Sequence, residues 1–81
     1  MSKIVTNRFI QEQIAGSGEL VKSCWSLLWQ NGEVFVSDMR DKGYSESLVR
    51  QAYLKFVKNG WAVKPKGTKN YWKVSKNVVK G

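Results

Sequence analysis

The strongest constraint in this sequence is an amphipathic run over residues 46–59 that leads straight into a strand–turn–strand pattern. At about 100° per residue, Leu48, Val49, Ala52, Tyr53, Phe56 and Val57 fall on one side of a helix. Ser47, Arg50, Gln51, Leu54, Lys55 and Lys58 fall on the other. Ser45 suits the N-cap, Glu46 the first turn, and Gly60 the position just past the end. Residues 61–64 then read as a strand, 65–69 as a turn and 70–74 as the returning strand. A helix with one apolar face must bury it, and a chain of 81 residues has room for a single core.

The preceding elements supply that core. Residues 19–31 predict a helix with Leu20, Val21, Cys24, Trp25, Leu27 and Leu28 on one stripe, Ser17 or Gly18 at its start and Gly32 at its stop. Trp29 lies at the stripe's edge as a half-buried rim residue. Residues 33–36 are a short β-prone run, and Ser37 is the expected N-cap of a two-turn helix reaching Lys42 and ended by Gly43. Near the N-terminus, Phe9, Ile10 and Ile14 share a helical face started by Thr6 or Asn7, and Gly16-Ser17-Gly18 breaks the chain. Residues 76–81 read as a loose tail. The expected division is an N-terminal segment 1–17, a domain 18–75 and the tail 76–81. The expected class is α+β: three core helices, a small antiparallel sheet of residues 33–36, 61–64 and 71–74, one β-hairpin, and an extra N-terminal helix.

Several functions are excluded by inventory. The chain has no histidine and one cysteine, which removes His-based triads, His-ligated metals and multi-cysteine zinc sites. The acids form no spaced catalytic pair, and Gly67-Thr68 lacks the strand–loop–helix context of a phosphate loop. The chain is therefore not expected to be an enzyme, nor to carry a metal or cofactor. Cys24, inside an apolar run, is expected to be a buried core thiol. No apolar run approaches the ~18 residues of a membrane span, and no signal-peptide core follows the first residues, so a cytoplasmic protein without membrane contact is expected.

Charge is distributed unevenly. The net charge is +8, yet residues 1–46 hold six acids against five bases. Residues 47–81 hold Arg50, Lys55, Lys58, Lys64, Lys66, Lys69, Lys73, Lys76 and Lys80 and no acid. Solvated surfaces usually mix the two signs. A one-signed half makes a directional field suited to a polyanion.

The element order resembles the winged helix-turn-helix family, in which the second helix of the motif enters the DNA major groove. That resemblance implies duplex DNA as partner. It places Ser45, Ser47, Arg50 and Gln51 near base edges, Leu54 against a thymine methyl, a sugar or a protein, and Lys55 and Lys58 near phosphates. Lys64, Lys66, Lys69, Asn70 and Lys73 lie on the hairpin, the wing, which follows a groove or the backbone. Residues 47–52 (Ser-Leu-Val-Arg-Gln-Ala) with 59–63 (Asn-Gly-Trp-Ala-Val) look like bacterial GntR-type regulators, although no effector-binding domain is expected here. Residues 67–74 are similar to the wing of Z-alpha domains, with Trp72 at the wing tryptophan and Gly60 at the glycine closing the recognition helix. That family's asparagine falls at Arg50, its tyrosine at Leu54 and its proline pair at Lys69-Asn70, so most Z-form-reading chemistry is absent and Trp72 is expected to pack on the helix.

The expectation is a small regulator of transcription or replication, with the economy of a phage, plasmid or other mobile element. Rival readings are a winged-helix protein-interaction module using Trp29, Leu54 and the Phe9-Ile10-Ile14 face, and a nonspecific, double-stranded RNA or Z-form duplex binder driven by lysine charge. Ile4, Val5, Phe9, Ile10 and Ile14 are too apolar for a free tail. They should pack on the core or on a second copy of the chain, making a homodimer.

Overall fold

The computed structural model describes residues 4–80, so the outermost parts of the expected N-terminal segment and tail, residues 1–3 and 81, lie outside the described residues. The chain runs β1 (Val5–Thr6), α1 (Asn7–Ile14), α2 (Glu19–Asn31), β2 (Glu33–Phe35), α3 (Val36–Arg40), α4 (Glu46–Lys58), β3 (Ala62–Val63), β4 (Tyr71–Val74) and β5 (Val78–Val79). The expected α+β architecture is present: four helices with a three-stranded antiparallel sheet in the order β2-β4-β3. The register pairs Val34 with Trp72 and Ala62 with Val74 on the face turned inward. Because strand side chains alternate, Glu33, Lys73 and Val63 line the opposite face, with Phe35 and Tyr71 beside them.

Trp25 of α2 sits at the centre of the core, fully buried. Its ring meets Phe56 edge-on at 5.4 Å, Trp61 at 6.3 Å and Trp29 in a stack at 6.2 Å. A buried indole N–H needs an acceptor, and Trp25 Nε1 donates to Asn7 Oδ1 at 2.7 Å, which ties α1 to α2. Tyr53 of α4 stacks on Trp72 of β4 at 4.7 Å and donates its hydroxyl to the Cys24 carbonyl at 2.8 Å. Trp72 thus packs on the helix, as expected. Cys24 is buried, and burial pushes its thiol up to about 11, with the Tyr53 hydroxyl working the other way.

Helix ends follow local chemistry. Thr6, not Asn7, caps α1: its Oγ1 accepts the Phe9 N–H at 3.1 Å. At the end of α4 the Trp61 N–H bonds the Phe56 carbonyl and the Gly60 N–H bonds the Val57 carbonyl. This paired closure requires a left-handed residue, and Gly60 has φ +79°. The rings of Trp61 and Phe56 pack across it at 6.1 Å, so the turn that ends the helix also delivers Trp61 into the core.

Four expectations need correction. The short helix starts at Val36 with Phe35 in the N-cap position, not at Ser37, because Asp38 Oδ2 accepts the Phe35 N–H at 3.0 Å one turn earlier. It also ends at Arg40, with 41–43 continuing as turn. Leu48, assigned to the inner face of α4, is 51% exposed, since α2, α3 and the hairpin close over Val49, Ala52, Tyr53 and Phe56 and leave the stripe's edge outside. Finally, Val78–Val79 are not a loose tail. They pair in parallel with Val5–Thr6, and Val78 is buried. A strand of two residues has no period to read, and its partner lies at the other end of the chain.

α1 packs on the core through buried Ile10 and Ile14, which answers where most of the N-terminal apolar residues go. Phe9 and Ile4 stay outside.

Candidate nucleic-acid interface

The inner face of α4 is anchored by Val49, Ala52, Tyr53 and Phe56, and this aims its other face at solvent. Ser47, Arg50, Gln51, Leu54, Lys55 and Lys58 are all exposed there. Ser45 occupies the N-cap position and its carbonyl accepts the Val49 N–H at 3.0 Å, but its side chain makes no capping bond. On the hairpin, Lys64, Lys66 and Lys69 are exposed around a turn in which Thr68 N–H and hydroxyl both donate to the Pro65 carbonyl. Gly67, at φ +81°, takes the turn position that side chains disfavour.

The structure joins two of the sequence-predicted residues directly. Arg50 Nε donates to Asn70 Oδ1 at 2.7 Å, linking α4 to the hairpin. Asn70 reaches it from a left-handed conformation, φ +59°, which asparagine tolerates better than most residues. The Asn70 carbonyl accepts the Val36 N–H at 2.8 Å, so one residue ties the hairpin to the start of α3 and to α4. Lys73 is placed apart. It stands on the sheet face turned away from the helices, paired across strands with Glu33 and Val63.

Two features were not legible in the sequence. Arg40, at the end of α3, reaches Glu46 at the start of α4 with Nη1–Oε2 at 3.3 Å, and no periodicity spans the intervening turn. Phe35 and Tyr71 form an outward cross-strand pair with ring centroids 4.5 Å apart. The Tyr71 hydroxyl donates to Glu33 Oε1, and that bond raises the phenol above its ordinary value.

The electrostatics of the surface are simple. Among the described residues every ion pair uses an arginine, and none of the lysines is paired with a carboxylate. No family model, curated protein or solved structure matches this chain. Among the described residues no helix is long and apolar enough to cross a membrane.

Proposed function

We propose that the chain is a winged-helix protein that binds a DNA duplex, with α4 in the major groove and the β3–β4 hairpin as the wing. The observation that carries this reading is the joined basic surface: lysines without carboxylate partners on α4 and the hairpin, with Arg50 held by Asn70 where the two meet. An α-helix fits the major groove, which is about 12 Å wide. A guanidinium is a planar fork that matches guanine, whereas a lysine ammonium is a point charge suited to phosphate. Arg50 and Gln51 are therefore the base readers, supported by Ser47, and Lys55, Lys58, Lys66 and Lys69 the phosphate contacts. Lys73, on the far sheet face, contributes to the field without direct contact.

The test is a titration of variants against a duplex selected from a random pool and against its scrambled sequence. Arg50→Ala should cost about 1–3 kcal/mol on the selected duplex and much less on the scrambled one. Lys66→Ala and Lys69→Ala should weaken both duplexes alike and lower the salt slope by about 1 each. Equal losses for Arg50→Ala on both duplexes would reduce the function to nonspecific duplex binding.

A specific observation also supports self-association. Ile4, Val5, Thr6, Phe9, Gln13, Asn59 and Trp61 line a groove of about 510 Å³. None of these residues is charged, and Ile4 is 71% exposed. Two copies of a chain carrying +8 approach most easily through an uncharged face. The groove lies at the C-terminal end of α4, away from Arg50 but beside Lys55, which adjoins Gln13, Asn59 and Trp61. A second copy seated there leaves Arg50 and the hairpin tip open, and a two-fold pair would read half-sites about one helical turn apart. Sedimentation should show a dimer that Phe9→Glu converts to monomer. A native protein that stays monomeric at high concentration overturns the pairing.

A further inference from the structure

Within the basic surface stands the last acid of the chain, Glu46. Its Oε1 accepts from Arg50 Nη2 at 3.1 Å, and its Oε2 accepts from Arg40 Nη1 at 3.3 Å. One carboxylate thus holds two guanidinium groups, one from each helix of the α3–α4 pair. The side chains are 35% exposed for Glu46, 48% for Arg50 and 56% for Arg40. Ion pairs this open contribute little to stability. Their effect is geometric. Two guanidinium groups repel each other and spread into solvent unless an anion stands between them.

The geometry of Arg50 is informative in detail. Its Nε and Nη2, the side edge of the fork, are taken by Asn70 and Glu46. Its Nη1 has no partner among the described residues, so the end of the fork points free with its plane fixed. Arg40 is held by Nη1 to Glu46, with Nε 4.0 Å from Asp41, and its Nη2 is likewise open. A charge-assisted contact made by a side chain already held in place avoids the ordering cost that a free lysine meets on binding.

We propose that Glu46 is a specificity-determining positioning residue: it fixes Arg50 for base reading and holds Arg40 as a flanking backbone-phosphate contact, while its own charge offsets part of their attraction for any duplex. This rests on the duplex-binding reading and adds to it a residue, Arg40, that helical periodicity does not connect to the surface. A carboxylate at a phosphate-binding face lowers affinity for any duplex. It favours the correct one only if it makes Arg50 better placed for its base.

The experiment compares native protein, Arg40→Ala and Glu46→Gln on the selected and scrambled duplexes, with thermal unfolding of each. The amide introduced by Glu46→Gln keeps the size of the side chain but cannot accept from both guanidinium groups as a charge. Glu46→Gln should therefore bind the scrambled duplex several-fold more tightly, while the ratio between selected and scrambled duplexes falls by about fivefold or more. Arg40→Ala should weaken both duplexes alike and lower the salt slope by about 1. A purely structural Glu46 would instead weaken both duplexes and lower the unfolding temperature on substitution, which overturns the proposal. So does an Arg40→Ala variant with the native salt slope. If the native protein discriminates and Arg50→Ala abolishes this but Glu46→Gln leaves the ratio intact, the inference fails while the duplex reading stands. A native protein that binds no duplex removes both.

Discussion

Raising monovalent salt from about 50 to about 200 mM should weaken duplex binding by roughly several-hundred-fold. The size follows from the number of cations that meet phosphates. Lys55, Lys58, Lys66 and Lys69 are exposed on α4 and the hairpin, unpaired with any carboxylate among the described residues, and Arg40 and Lys64 lie at the margins. Neutralising about 4–6 phosphates releases condensed counterions and gives a log–log slope of roughly −4 to −5. Surfaces with mixed charges lose far less, because internal ion pairs already satisfy their cations. The measurement is duplex affinity by fluorescence anisotropy across a salt series. An affinity that ignores salt, or no binding at the low-salt end, would favour a protein-interaction role for the exposed Leu48, Leu54 and Phe35.

Trp25→Ala should destabilise the fold by about 3–5 kcal/mol, a large part of what a domain this small possesses. The indole is fully buried and contacts Phe56, Trp61 and Trp29, so its removal leaves a cavity at the meeting point of α2, α4 and the hairpin root. It also leaves Asn7 Oδ1 without the indole donor that fastens α1. Trp25→Phe keeps much of the ring area but not the N–H, and should cost less than the alanine variant. Urea unfolding of the two variants and the native chain measures both effects. A Trp25→Ala protein within about 1 kcal/mol of native stability would mean that the aromatic cluster is not the core's main support. Because Trp25 meets α4 through the buried Phe56 and not through its exposed face, duplex discrimination by whatever fraction remains folded should be unchanged.

Much of this fold is written in short-range pattern. The apolar periodicity of residues 19–31 and 46–59 and the positive-φ glycines at 32 and 60 set the two long helices to within a residue. The alternation in residues 71–74, with Trp72 inward and Lys73 outward, set the central strand. The lysines follow from composition alone, since charged side chains with no acid nearby stay in water. Tertiary structure decided the rest, wherever a residue's fate depended on a partner distant in sequence. Leu48 and Val49 are equally apolar neighbours, but only the direction from which α3 and the sheet approach leaves one outside and buries the other. Val78 and Val79 became a strand because Val5 and Thr6 arrive beside them from the opposite terminus. Arg50 begins the basic residues of the half of the chain without acids, yet Glu46 lies one helical turn before it and Asn70 comes to it from the hairpin. Arg40 gained a place only when the turn between α3 and α4 brought it to the same carboxylate. Periodicity reports which way a side chain points from its own element; which atoms it meets depends on how the elements cross.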